Sequence, residues 1–260
     1  MITSIHNPKI QAVRRLQTQA KARREERAFV IEGVRLAGES LHAGWSALQV
    51  FYSDQLDQRG TAVVDGFSSR GVPNEQVTES VMQAVSETET SQGLLVVLKS
   101  DELPIPAYPN FLLILDSLRD PGNLGTILRS ATAAGVQAVL LAPGCVDAWS
   151  PKVLRAGMGA HFHLPIQSLS WEEIEPILKQ PANPLRVFLA DSASGISYTR
   201  ADFHSPLALI VGGEATGAGP ESTSLADETV HIPMPGGSES LNAGIAASIL
   251  LFEVVRQRGN

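Results

Sequence analysis

Residues 232–242, IPMPGGSESLN, join a short apolar segment to a long helical pattern, and their reading decides the fold. Pro233 and Pro235 lack backbone donors, and Gly236 and Gly237 permit left-handed torsions, so this is a loop on an unusual path. Ser240 and Asn242 carry oxygens that can accept from the free N–H groups of the helix that follows. Two other glycine-bearing loops come before it, at 116–125 (DSLRDPGNLG) and 212–219 (GGEATGAG). Each follows a continuous apolar run, 111–115 (FLLIL) and 207–211 (LALIV), of the kind that forms a strand buried on both faces. Three loops that leave strand ends carrying Asn, Arg, Glu and Ser point to one site assembled from distant segments.

From residue 111 onward the pattern is regular. Strands expected at 111–115, 136–142, 162–166, 185–190, 207–211 and 230–233 alternate with helices expected at 124–134, 151–158, 171–179 and 242–257. Such alternation predicts a mostly parallel sheet covered on both faces, with ligands beyond the carboxyl ends of its strands. Residues 100–110 (SDELPIPAYPN) hold three prolines and read as a linker. Residues 1–99 read as a small α/β domain, with a helix opened by Asn7-Pro8 and strands at 28–32, 47–52 and 93–99. Only a short helix is expected in the polar stretch 55–89. The expected domains are thus 1–99, the linker 100–110, and 111–260.

A net charge of −7 argues at first against a nucleic-acid partner, but its distribution is uneven. Residues 1–36 contain Lys9, Arg14, Arg15, Lys21, Arg23, Arg24, Arg27 and Arg35 against three acidic residues, a local balance of +5 that leaves −12 for the rest. A basic front on an acidic body can steer phosphate backbones; a solvated helix face is the other reading of the same charges. The single cysteine, Cys145, excludes an intramolecular disulfide and a multi-cysteine zinc cage, and fits a reducing compartment. No stretch has the apolar length of a signal core or a membrane span, so the expectation is a cytoplasmic protein without a membrane partner.

Generic motifs exclude more than they assign. GGEATGAG departs from G-x-G-x-x-G and holds an acidic residue that repels a pyrophosphate, which counts against a dehydrogenase-like enzyme. His161 and His163 lie two apart on an expected strand with no third ligand in the pattern, so no metal site is expected. Arg129 falls on the first turns of a helix, close to an end that favours anions, yet alone it reads as a surface charge. The helix after Asn242 is apolar almost all round at 243–252 (AGIAASILLF). Such a helix is sandwiched either inside its own domain or against a partner subunit, and both remain open.

The combination is more specific than its parts. N-L-G-T-I-L-R-S-A-T-A-A-G at 123–135, G-G-E-A-T-G at 212–217 and I-P-M…S-E-S-L-N at 232–242, in this order, resemble the three motifs of the SpoU (TrmH) family of RNA 2′-O-ribose methyltransferases, of the SPOUT class. The resemblance covers about residues 111–258. More loosely, SIHNPKIQAVRRL at 4–16 and FVIEGVRLAGES at 29–40 resemble the family's small RNA-binding domain.

The resemblance implies a deep trefoil knot in the carboxyl-terminal domain, a topology that general rules treat as a rare exception. It implies S-adenosylmethionine as cofactor, wrapped by the loops 212–219 and 232–242 against Gly212, Gly213, Gly217, Ile232, Met234 and Leu241. Main-chain groups of Gly212, Ile232 and Leu241 would take the adenine and ribose. A homodimer is implied, and no metal is needed. The expected reaction is attack of an RNA ribose 2′-hydroxyl on the sulfonium methyl group. In it Arg129 contacts the nearby phosphate and stabilises the 2′-oxygen, Asn123 and Ser240 position Arg129 and the nucleotide, Asn242 orders the loop, and Glu214 holds loop or substrate. Contacts to the RNA backbone are expected from Lys9, Arg14, Arg15, Arg23, Arg24 and Arg35. The amino-terminal match points to ribosomal rather than transfer RNA, with guanosine as the leaning. Gly244 departs from the family, which often has a serine there. From another class, a non-catalytic RNA-binding or ribosome-assembly factor on the same fold is the rival.

Overall fold

The computed structural model describes residues 1–101, 103–192, 194–213 and 217–259. Two compact units result: Met1–Asp101 joined by Trp149–Phe162, and the rest of the chain.

The first unit contains α1 (Pro8–Thr18), α2 (Ala20–Glu26), β1 (Ala28–Glu32), α3 (Val34–His42), β2 (Ala47–Tyr52), α4 (Gln58–Ser69), β3 (Asn74–Gln76), α5 (Glu79–Val85) and β4 (Leu94–Lys99). Its sheet has the order β1-β4-β2-β3, antiparallel except for the β2–β3 pair. The Asn7 side chain starts α1 by accepting from the Lys9 N–H at 2.9 Å. Ile10, Val13 and Leu16 then reach into a core with Val30, Phe51, Met82 and Leu95. The polar stretch 55–89 holds two helices and a strand where one short helix was expected. Caps announce these helices better than periodicity does: Asp57 accepts from Gly60 N–H at 2.7 Å, and Thr78 from Val81 N–H at 3.4 Å.

The chain continues through β5 (Phe111–Asp116), α6 (Pro121–Ala133) and β6 (Ala138–Leu141), and returns to the first unit for α7 (Pro151–Gly157) and a 3-10 turn at Ala160–Phe162. It goes on through β7 (Ile166–Ser168), α8 (Trp171–Leu178), β8 (Arg186–Ala190), β9 (Ile196–Ser197), β10 (Leu207–Gly212), α9 (Pro220–Leu225), β11 (Glu228–His231) and α10 (Ala243–Arg258). The return corrects the single boundary expected at the linker. Its cause is aromatic: Trp149 lies 4.7 Å from Phe29 and Phe162 lies 5.5 Å from Trp45, ring centre to ring centre. His161 therefore sits buried in the turn beside Trp149 instead of on a strand, and the strand expected at 162–166 begins only at Ile166.

The second unit is built on a seven-stranded sheet of order β7-β6-β5-β10-β8-β11-β9, every pair parallel. β10 enters between β5 and β8, with Leu207 opposite Phe111 and Arg186. Alternate residues Leu112, Ile114, Val187, Leu189, Ala208 and Ile210 share one buried face. The strand order reverses beside β5, which puts the crevice for a ligand at the carboxyl ends of these central strands.

α10 packs along α6, with the Ser130 and Ser248 hydroxyl oxygens 2.8 Å apart. At its far end the buried Glu253 accepts from Arg256 Nη2 at 2.7 Å and Gln257 Nε2 at 2.8 Å, and the Arg256 bond holds its carboxyl below the usual carboxylate range. The Gln257 side chain also accepts from Phe203 N–H and donates to the Ala201 carbonyl, which pins the helix to its own unit. One flank is thus internal. Ile245 and Phe252, seven residues apart on another flank, are 52% and 48% exposed. Among the described residues no helix is long and apolar enough to cross a membrane.

Candidate active site

α6 begins earlier than the sequence suggested. Asp120 is its N-cap, accepting from Asn123 N–H at 2.7 Å, and Pro121 occupies the first position. The Asp-Pro pair is therefore a helix start, and Asn123 lies in the first turn instead of a loop. Arg129, further along α6, is exposed and makes no hydrogen bond or ion pair to a described residue.

Asn242 joins two of the distant loops. Its Oδ1 caps α10 by accepting from Gly244 N–H at 3.0 Å and Ile245 N–H at 3.2 Å, while its Nδ2 donates to Asn123 Oδ1 at 2.8 Å. One side chain thereby ties the 232–242 loop to the start of α6 across 119 positions of sequence. Gly244 sits where this helix approaches α6: a Cβ there would lie 3.4 Å from Thr126 Cγ2, an ordinary contact, and 3.2 Å from the capping Asn242 Oδ1, a tight one.

The loop after β10 is held from beneath by a residue that the sequence did not single out. Asp116, buried at the end of β5, accepts from Gly219 N–H at 2.7 Å, from the Ser222 hydroxyl, and from the Ser117 hydroxyl at 3.0 Å. An acidic residue closing an otherwise apolar run was the available signal, since a buried carboxylate requires donors. Ser117 turns the chain in the left-handed region, φ 55°. Its carbonyl oxygen would lie 2.3 Å from a Cβ at Gly213, and a Cβ at Gly212 would lie 2.4 Å from the Gly217 carbonyl carbon. Only glycine fits at these two crossings.

Above these crossings a cleft of about 640 Å³ opens at the carboxyl ends of β8, β10 and β11. All six residues expected at the cofactor, Gly212, Gly213, Gly217, Ile232, Met234 and Leu241, line it, together with Ser240 and Asn242. Asp191 and Ser192, after β8, also line it and were not foreseen. Among the described residues, no hydrogen bond takes up the main-chain N–H or carbonyl of Ile232 or Leu241. Asn123 is brought to the cleft edge through Asn242, whereas Arg129 does not line the cleft. Glu214 lies outside the described residues.

The basic residues of the first unit divide sharply. Arg23 is 7% exposed, and its Nη1 donates to the Leu16 and Gln17 carbonyls at 2.5 and 2.9 Å. Its charge serves the chain's own backbone, which corrects its expected place among RNA contacts. Lys9 pairs with Glu75, and Arg15 with Glu26 at 3.0 Å. Arg14, Arg24 and Arg35 are exposed, with no ion pair to a described residue.

A parallel sheet with a cleft at the carboxyl ends of β8, β10 and β11, walled by the two glycine-bearing loops at 212–217 and 232–242, defines the class. Residues 110–252 match the SpoU rRNA methylase family, and residues 7–96 match the MRM3-like substrate binding domain. The chain belongs to the SpoU rRNA methylase family. It is 35% identical to the human (Homo sapiens) mitochondrial rRNA methyltransferase 3 over 297 residues, covering 90% of this chain and 69% of that protein. The Bacillus subtilis 23S rRNA (guanosine(2553)-2′-O)-methyltransferase RlmP is 32% identical, covering 97% of this chain and 98% of that one. An AdoMet-bound rRNA methyltransferase from Sinorhizobium meliloti superimposes with a TM-score of 0.87 at 32% identity, covering 98% of this chain and 97% of that one.

Proposed function

We propose that this protein methylates a ribose 2′-hydroxyl of ribosomal RNA with S-adenosylmethionine as methyl donor. The observation that carries this reading is the single cleft lined by residues of two motif loops and tied to the start of α6 by the Asn242–Asn123 hydrogen bond. Its volume is in the range of small-molecule sites. Val211, Ile232, Leu241 and Leu250 offer apolar walls to a flat base, and the unengaged main-chain groups of Ile232 and Leu241 suit its polar edge and the ribose. The close crossings at Gly212 and Gly213, on which the cleft is built, admit no side chain because a Cβ would strike the backbone of Gly217 or Ser117.

The bound cofactor supplies a methyl group already activated by a positive sulfur. The chain has to orient the ribose and stabilise its developing alkoxide, because a sugar hydroxyl is a weak nucleophile at neutral pH. Arg129 takes that part: always charged and without an ion pair to a described residue, it holds the neighbouring phosphate and the 2′-oxygen, with the proton passing to a phosphate oxygen or water. Asn123 fixes the start of α6, Asn242 fixes the loop, and Ser240 orients the nucleotide. Glu214 is assigned to holding the loop or substrate. Arg14, Arg24 and Arg35 supply RNA backbone contacts, with Lys9 and Arg15 available once their exposed acidic partners exchange for phosphate.

The same reading includes a trefoil threading of the 212–242 segment, a homodimer and a cytoplasmic location. The exposed Ile245 and Phe252 on α10 support the dimer. A guanosine in 23S-type RNA is the proposed target, by likeness to the Bacillus subtilis relative.

The test is calorimetric titration with S-adenosylmethionine, followed by transfer of labelled methyl groups to unmethylated ribosomal RNA. Label recovered in alkali-resistant dinucleotides supports ribose methylation. Binding without transfer to RNA or ribosomal particles turns the reading toward an assembly factor, and transfer only to tRNA overturns the substrate. Absence of binding refutes the cofactor.

A further inference from the structure

Asp191 is the one ionisable side chain among the described residues that line the cleft; the others are aliphatic, thioether, hydroxyl, amide or glycine. The carboxylate is held in place from two sides. Its own N–H donates to the Val230 carbonyl at 3.0 Å, which fixes the backbone to β11, and its Oδ1 accepts from Ser194 N–H at 2.8 Å. Among the described residues of the lining, Asp191 thus places a carboxyl group in surroundings that are otherwise without ionisable side chains.

We infer that Asp191 is a specificity-determining residue: it makes the cleft favour the sulfonium form of the methyl donor over the neutral thioether left after transfer. This rests on the reading of the cleft proposed above. In the transfer the methyl carbon bonds to the ribose oxygen, the C–S bonding pair stays on sulfur, and the hydroxyl proton leaves for a phosphate oxygen or water. The donor loses one positive charge while its shape hardly changes, so apolar walls and main-chain hydrogen bonds hold both forms about equally. A carboxylate distinguishes them. Once a ligand fills the cleft and displaces water, the attraction acts through a lower effective dielectric and falls on the cation alone. Asp191 thereby helps to retain the loaded donor and to release the spent one.

Asp191→Asn keeps Oδ1 as acceptor for Ser194 and keeps the volume, and an unchanged melting temperature of the ligand-free variant verifies its fold. Calorimetry of wild type and variant with S-adenosylmethionine and S-adenosylhomocysteine gives four dissociation constants. The expected result is that Asp191→Asn weakens S-adenosylmethionine about tenfold and S-adenosylhomocysteine less than about threefold. With the wild type alone, raising NaCl should weaken the sulfonium ligand more than the thioether. Equal weakening of both ligands, or no change in either, overturns the inference while leaving the cofactor assignment intact. Failure of the wild type to bind either ligand overturns the cofactor reading, and this inference with it.

Discussion

In the first unit, arginines on neighbouring helices differ completely in what their charge can reach: Arg23 is buried on two carbonyls of α1, while Arg14 and Arg24 stand in solvent. In the second unit, Arg129 has no ion pair to a described residue and stands on a helix whose first turn is tied by Asn242 to the cleft loop. Formal charge is therefore a poor guide to available charge. What matters is whether the chain's own acceptors already hold it and whether the supporting elements fix its direction.

Replacing Arg129 by Ala tests the contrast hardest. Turnover should fall about 10²–10³-fold, the scale of losing one electrostatic stabiliser, while S-adenosylmethionine affinity stays nearly unchanged. Normal turnover with weakened cofactor binding would break the assignment. Arg23→Met should cost about 2 kcal/mol in urea unfolding, because it leaves the buried Leu16 and Gln17 carbonyls without this donor, and should leave RNA affinity as it was. Arg14→Ala and Arg24→Ala should do the reverse, with stability within about 0.5 kcal/mol and a shallower salt dependence of RNA binding. If Arg23→Met behaves like Arg24→Ala, the division between structural and available arginines is wrong. Asn242→Ala should lower stability by about 1 kcal/mol through the lost helix cap, and should weaken the cofactor because the loop comes away from Asn123. A stability loss with unchanged cofactor affinity would reduce Asn242 to a cap.

The strands of the second unit were legible because a strand buried on both faces has to be apolar throughout, as Phe111–Leu115 and Leu207–Val211 are. The six residues of the cleft were reachable through the resemblance and not through composition. Asp116 and Asp191 were missed because their partners are remote or belong to another strand: Asp116 meets Gly219 across 103 positions, and no local pattern encodes that meeting. The start of α6 was misplaced because Asp120-Pro121-Gly122 has the same letters as a turn. Only the accepted bond from Asn123 N–H distinguishes the two. Trp149–Phe162 was assigned to the wrong unit because its helix fits an alternating pattern, whereas its aromatic partners Phe29 and Trp45 lie far back in the chain.

The insertion of β10 between β5 and β8 also sets an order for biosynthesis. β5 and β8 emerge first and share no neighbour until Leu207–Gly212 follows, so the middle of the sheet closes late, on contacts of long sequence separation. Until then two apolar strands present open edges, the state most exposed to proteases and to misassociation. Nascent chains halted before Leu207 should therefore stay protease-sensitive across the second unit, and chains extended past α10 should resist. Most of the residues that wall the cleft, from Val211 to Leu250, are among those the chain waits for, so a molecule whose sheet has not closed has no cleft either.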